Sequence, residues 1–199
     1  MRNLTAALCL AIALLMGGTA ISWSADFQKG LKAYQSGDYA TALREWTPLA
    51  EQGDAGTQFS LGFMHYNGWG VRKDYKAALK WWRLAAEQGI ADAQKNLGIM
   101  YDKGQGIPQD YKAAVKWYRL AAEQGHADAQ NNLGAMYGNG RGVPQDYIRA
   151  HMWSNLAAAN GSPKSSGLRD FIAKRMTTAD ISTAQKLARE CIAKNYKGC

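Results

Sequence analysis

The sequence predicts an all-α fold, an α/α solenoid of stacked antiparallel helix hairpins. Three observations carry this: a 36-residue internal period, apolar residues at helical spacing within each period, and Asp and Gly where helices should start and stop. Asp-Tyr stands at Asp38-Tyr39, Asp74-Tyr75, Asp110-Tyr111 and Asp146-Tyr147, in steps of 36 residues. Ala-Glu-Gln-Gly ends the following segments at Gly53, Gly89 and Gly125 and degenerates to Ala158-Ala159-Asn160-Gly161. A composition of 47% hydrophobic and 20% charged residues excludes wholesale disorder. Three Cys in 199 residues are too few for a disulfide-dense scaffold.

Residues 1–25 form the first segment. Arg2 precedes an apolar run from Leu4 to Met16, broken only by Thr5, and Gly17-Gly18-Thr19-Ala20 follows. That layout predicts a secretory signal peptide cleaved after Ala20 or Ala25, and a periplasmic or secreted product. The run is too short for a membrane helix, which needs ~20 residues. Residues 26–54 predict an N-terminal hairpin, and residues 55–161 hold three full periods. In the second period Tyr75, Ala78, Leu79, Trp82, Ala85 and Ala86 share one helix face behind an Asp74 N-cap, and Gly89 suits a left-handed stop. Its neighbouring helix spans roughly 91–102, with Leu97, Met100 and Tyr101 on one face. Gly98 in its middle costs about 1 kcal/mol against Ala. Its counterparts Gly62 and Gly134 predict a close helix crossing, with Ala78, Ala114 and Ala150 as the facing small residues. Residues 162–199 predict a basic helical cap. One hairpin cannot bury its own apolar face, so stability must come from stacking neighbours.

The run Ala91-Asp92-Ala93-Gln94, Leu97-Gly98, Tyr101, Gly104-Gln105-Gly106-Ile107-Pro108-Gln109-Asp110, Ala113-Ala114, Trp117-Tyr118 and Ala121 to Gly125 resembles the Sel-1-like repeat family, relatives of the tetratricopeptide repeat. The segment Gly30, Tyr34, Gly37-Asp38-Tyr39, Ala42 resembles a shorter-looped tetratricopeptide hairpin. The resemblance implies a right-handed superhelix that binds a protein or peptide on its concave face, as a monomer or weak oligomer. Matched to the tetratricopeptide pattern, that face carries Phe59, Phe63, Tyr66 and Asn67, then Asp92, Lys95, Ile99, Asp102 and Lys103, then Asp128, Asn131, Ala135, Gly138 and Asn139. Phe27, Leu31 and Tyr34 extend its aromatic end. The candidate contacts are therefore Phe59, Phe63, Tyr66, Lys95, Ile99, Asp102, Lys103 and Asn131, against the rival reading that the aromatic rings are core. Departures occur at His65, at Arg72-Lys73 in place of Pro-Gln, and at Ser154 where Trp82 and Tyr118 stand, as if the array were fading towards an end cap.

No catalytic residue, cofactor or metal is assigned. The Gly-x-Gly loops lack the third Gly of a dinucleotide loop and any Gly-Lys-Ser/Thr, and they recur with the period as helix–helix turns. His65, His126 and His151 are isolated. A cysteine-rich branch of the family is associated with β-lactam binding or hydrolysis, but this chain lacks a Cys pair in each repeat and any Ser-x-x-Lys. A cell-envelope hydrolase or β-lactam binder on this fold, or a polyanion or membrane-surface binder using the basic cap, are the alternatives. Cys191 and Cys199 are candidates for a disulfide if the chain turns back at Asn195 and Gly198; a continuous helix would hold them about 12 Å apart.

The net charge of +8 is unevenly distributed. Residues 26–162 hold 15 basic against 13 acidic residues, whereas 163–199 hold 8 against 3. The charge thus describes a basic cap on a near-neutral array, and with export it argues against nucleic acid.

Overall fold

The computed structural model describes residues 26–199, which form helices joined by turns and loops, with no strand among them; the signal-peptide prediction lies outside them. The helices are α1 (26–35), α2 (Tyr39–Glu51), α3 (Ala55–Asn67), α4 (Tyr75–Glu87), α5 (Ala91–Lys103), α6 (Tyr111–Ala122), α7 (Ala127–Asn139), α8 (Tyr147–Ala159), α9 (Ser165–Ala173) and α10 (Thr178–Ala193). They form the predicted stack of helix hairpins. Two compact units divide between Asp74 and Tyr75, so the first unit holds α1 to α3 and the second α4 to α10.

Local signals act where the period puts them. Asp38, Asp110 and Asp146 each accept a hydrogen bond through Oδ1 from the amide three residues on, at 3.1, 3.0 and 2.9 Å. Each supplies an acceptor to an otherwise orphaned N–H at the positive end of its helix. Helices α3, α5 and α7 end at Gly68, Gly104 and Gly140 in the left-handed region, whose amides reach back to the carbonyls of Met64, Met100 and Met136.

The glycine inside the helix has a cause the sequence only half revealed. A β-carbon on Gly98 would collide with the ring of Tyr118, and one on Gly30 would collide with the indole of Trp46. The nearest neighbour is therefore a large ring lying across the glycine, where the sequence suggested Ala114. The expected close approach to a small residue is seen at Gly134, where Ser154 replaces the ring; there the Ala150 carbonyl and Ser154 Oγ stand 3.1 and 2.8 Å from the vacant β position. In these two hairpins the ring fills the interior, and Tyr118 and Trp46 are both 2% exposed.

A buried amide ladder links successive hairpins of the second unit. Gln94 Nε2 donates to the Ala86 carbonyl at 3.0 Å, and Gln130 Nε2 donates to the Ala122 carbonyl at 3.1 Å. Each of these carbonyls also accepts a turn amide, from Gly89 or Gly125 at 3.0 Å, so the glutamine fills its second acceptor position at the helix end. The remaining oxygens of these glutamines accept from Gln124 (2.8 Å) and Asn160 (2.9 Å). Tyr196 closes the ladder by donating its hydroxyl to Asn160 Oδ1 at 3.1 Å.

The C-terminal cap places that tyrosine. Thr177 and Asp180 form a reciprocal capping box at the start of α10. Beyond α10 the chain reverses through Asn195, Tyr196 and Gly198, with φ of 49°, 64° and 67°. The sulfurs of Cys191 and Cys199 stand at disulfide distance, 2.01 Å, with Cα atoms 5.6 Å apart. Helix α8, which lacks the ring, is covered by α9 and α10 and buries Met152, Trp153, Leu156 and His151.

Substituting Gly98→Ala should destabilise the chain by about 1–3 kcal/mol, because the new methyl displaces a buried ring. Gly138→Ala is the contrast: its nearest neighbours would lie at 3.6–3.9 Å, and removing a helical glycine there should stabilise by up to ~1 kcal/mol. Thermal melts of the two variants check both signs.

Candidate functional site

In the first unit, aromatic residues on three helices converge. Phe27, Leu31 and Tyr34 lie one and two turns apart on α1, and Phe59 and Phe63 lie one turn apart on α3. Trp46 of α2 stands among them, its Nε1 donating to the Phe27 carbonyl at 3.2 Å. Its ring stacks on Phe27 at 6.1 Å and tilts against Tyr34 at 5.5 Å. These side chains and Ser60 line an apolar pocket of about 250 Å³. That is room for one bulky side chain, with the walls already held by their own ring contacts.

A second group of rings buttresses the pocket. Phe63 meets Trp69 edge-on at 5.3 Å, and Tyr39 stacks on Trp69 at 5.1 Å. Burial, then the neighbouring Tyr39, pushes the Tyr34 hydroxyl above its ordinary pKa, so it stays protonated. Phe59 and Phe63 are half-buried. Tyr66 is not in this pocket; the ammonium of Lys73 lies 5.8 Å from its ring centre.

The remaining candidates lie in the second unit. Lys95, Ile99 and Asp102 are half-buried on α5, and Lys103 is exposed at its end. Ile99 packs on the hydrophobic core of that unit. The Asp102 main-chain carbonyl accepts from Gln109 Nε2, while its Oδ1 is buried without a hydrogen-bond partner. Asn131 accepts from Ser165 Oγ at 3.1 Å, joining α7 to α9. Asp92 with His126 and Asp128 with Ser162, each at 3.1 Å, make similar bridges. Several side chains the sequence placed on a ligand face therefore bridge successive elements. Sequence reasoning missed Trp46 as a pocket wall, although its shared register with Trp82 and Tyr118 marked it as central to its hairpin.

Two histidines stand in the register as anomalies. His151 is 3% exposed at a position where the earlier periods carry Leu43, Leu79 and Val115, and its Nδ1 has no hydrogen-bond partner. Burial, with a further push from Arg169 against a pull from Asp170, lowers its pKa; burial against a pull from Asp74 lowers that of His65. Among the described residues no three His, Cys, Asp or Glu side chains are grouped to hold a metal, and no helix is long and apolar enough to cross a membrane.

Three consecutive matches to the Sel1 repeat cover residues 55–90, 91–126 and 127–162. The chain belongs to the Sel1 repeat family. Sel1 repeats generally mediate protein interactions. The first matched repeat spans the division between the two units, with α3 on one side and α4 on the other.

The Sel1 repeat protein of Oxalobacter formigenes has a similar structure, with 30% sequence identity, a TM-score of 0.66, and coverage of 82% of this chain and 74% of that one. A protective antigen of uropathogenic Escherichia coli displaying an SLR fold is 27% identical, with a TM-score of 0.61 over 87% of this chain. The present chain spans 47% of that antigen's length. Helicobacter pylori cysteine rich protein B shares the fold at 21% identity and a TM-score of 0.53, over 66% of this chain and 94% of its own. No curated protein sequence matches.

The lowered histidine pKa values set a sign for acid sensitivity. Unfolded histidine takes up its proton near pH 6.5, while folded His151 and His65 resist it. The stability they contribute is thus present above that pH and lost as pH falls through it towards their folded values. The melting temperature should decrease between pH 7.5 and 5. His151→Leu, the residue of that register in two earlier periods, should flatten the decrease when both proteins are melted across that range.

Proposed function

We propose that the chain is an exported, non-enzymatic scaffold that captures a protein or peptide, with the aromatic pocket of its first unit as the anchor. The pocket between α1, α2 and α3 carries this reading. Phe27, Leu31, Tyr34, Phe59 and Phe63 present an apolar recess of about 250 Å³ beside the indole of Trp46. A recess of this kind holds one apolar side chain of a partner and excludes water from it, the usual arrangement of an interface hot spot. A periplasmic location is supported by the charged, apolar and small-residue order of residues 1–25. A cysteine pair at disulfide distance also suits an oxidising compartment.

The test is crosslinking of the tagged protein in its native compartment, followed by mass spectrometry. One partner should be enriched with the parent chain and lost with Phe59→Ser/Phe63→Ser, while the melting temperature shifts by no more than a few degrees. A large fall in melting temperature with capture retained would place these rings in the core and end the reading. Intact-mass measurement of the recovered protein checks export. It should begin at Ile21 or Asp26 and be two hydrogens lighter than after reduction; an unprocessed, reduced chain contradicts export.

A further inference from the structure

The second unit contains a concavity that the aromatic pocket does not explain. It lies between α7 and α9, holds about 230 Å³, and is lined by Ala135, Gly138, Leu168, Phe171, Ile172 and Arg175 among others. Its origin can be read from the register. Where successive periods place Phe63 and Ile99, the third has Ala135; where they place Tyr66 and Asp102, it has Gly138. Both side chains that would fill the space are cut back. At Gly138 no crowding enforces this, since the nearest atoms to a β-carbon would be those of Ala150 and Ile172, at 3.6–3.9 Å.

The rim is equally unusual. Phe171 is 54% exposed, the most exposed of the large apolar side chains described. The guanidinium of Arg175 lies 3.7 Å from the centre of that ring, and its Nη1 donates to the Phe171 carbonyl at 2.8 Å. A stacked and tethered guanidinium has already lost much of its rotamer freedom and still offers donors to a ligand. No acidic group among the described residues pairs with it, whereas the nearby Arg169 is held by Asp170 at 2.9 Å. The surrounding segment 163–199 carries 8 basic residues against 3 acidic.

We propose that this groove binds an acidic peptide segment of a partner protein, with one apolar side chain entering the cavity and a neighbouring carboxylate meeting Arg175. Charge complementarity selects the acid, and the apolar recess selects a peptide over other polyanions. A nucleic acid or an anionic membrane meets the same charge but brings no side chain to fill the space between Ala135 and Ile172. This site is separate from the aromatic pocket and does not depend on it.

Fluorescence anisotropy on the full mature chain tests the proposal with three short fluorescein-labelled peptides. One has a central Leu-Phe flanked by Asp and Glu; the second has Ser for the apolar pair; the third has Lys for the acids. Only the first should bind appreciably, more weakly as salt rises. Arg175→Gln should weaken it ~fivefold. Arg175→Lys should fall between, keeping the charge without the planar fork. Ala135→Ile, which restores the side chain Ile99 has one period earlier, should fill the recess and weaken binding ~tenfold. Phe59→Ser/Phe63→Ser should leave this affinity unchanged, so failure here and failure of the aromatic anchor are distinguishable. Equal binding of the first two peptides, indifference to both Arg175 variants, or no binding of the first peptide would overturn the proposal. So would phosphatidylglycerol vesicles binding with the same dependence on Arg175. Melting curves accompany each variant; if Ala135→Ile unfolds, the Arg175 series decides.

Discussion

A ring lying across a glycine is the contact on which the hairpin depends. In the first unit Trp46 of α2 occupies the place a β-carbon on Gly30 of α1 would take; in the second, Tyr118 of α6 does the same at Gly98 of α5. The glycine weakens its helix, but burying an aromatic side chain contributes more than that loss. Because the ring comes from within the hairpin, these two hairpins have interiors filled by their own side chains. The remaining apolar surface is then free to meet the next hairpin. Where the ring is lost, at Ser154, the packing changes: α8 lies close on Gly134 and needs α9 and α10 to cover it.

Stacking then raises a polar problem that turn amides and buried glutamines meet together. Every helix end leaves carbonyls without partners, and in a stacked array some of those ends are buried. The Ala86 and Ala122 carbonyls take the turn amides of Gly89 and Gly125, and Gln94 and Gln130 of the next hairpin add a second donor. Their own oxygens accept from Gln124 and Asn160 at the far end of the same hairpin. A ladder of this kind must end somewhere. Here it ends on Tyr196, which the reversal at Asn195 and the cysteine pair at Cys191 and Cys199 hold against Asn160. The cap therefore completes a hydrogen-bond network as well as covering apolar surface.

Recesses arise where this regular scheme is locally varied. In the first unit, Phe27, Phe59 and Phe63 surround Trp46 without filling the space beside it. In the second, Ala135 and Gly138 are smaller than their counterparts in the preceding periods, and Phe171 and Arg175 rim the space that results. In both cases the scaffold supplies rigidity and a change of side-chain size supplies the recess.

The period, the Asp and Gly punctuation and the apolar faces were legible in the sequence, because each is a local preference repeated at 36 residues. Even the turn-back at Asn195 and Gly198 could be read, since both residues favour the left-handed region they occupy. The partners of those features were not legible. The sequence placed Gly98 in a close crossing but not against Tyr118, and it gave no sign of the bridge from Asn131 to Ser165. A residue's register says which side of a helix it is on; what it meets there depends on how far the neighbouring helix has rotated and approached. That is set by the volumes of many side chains at once. Fold class and array were thus determined by local sequence, whereas tertiary packing alone decided which rings fill a core, which glutamines bridge and where a cavity remains.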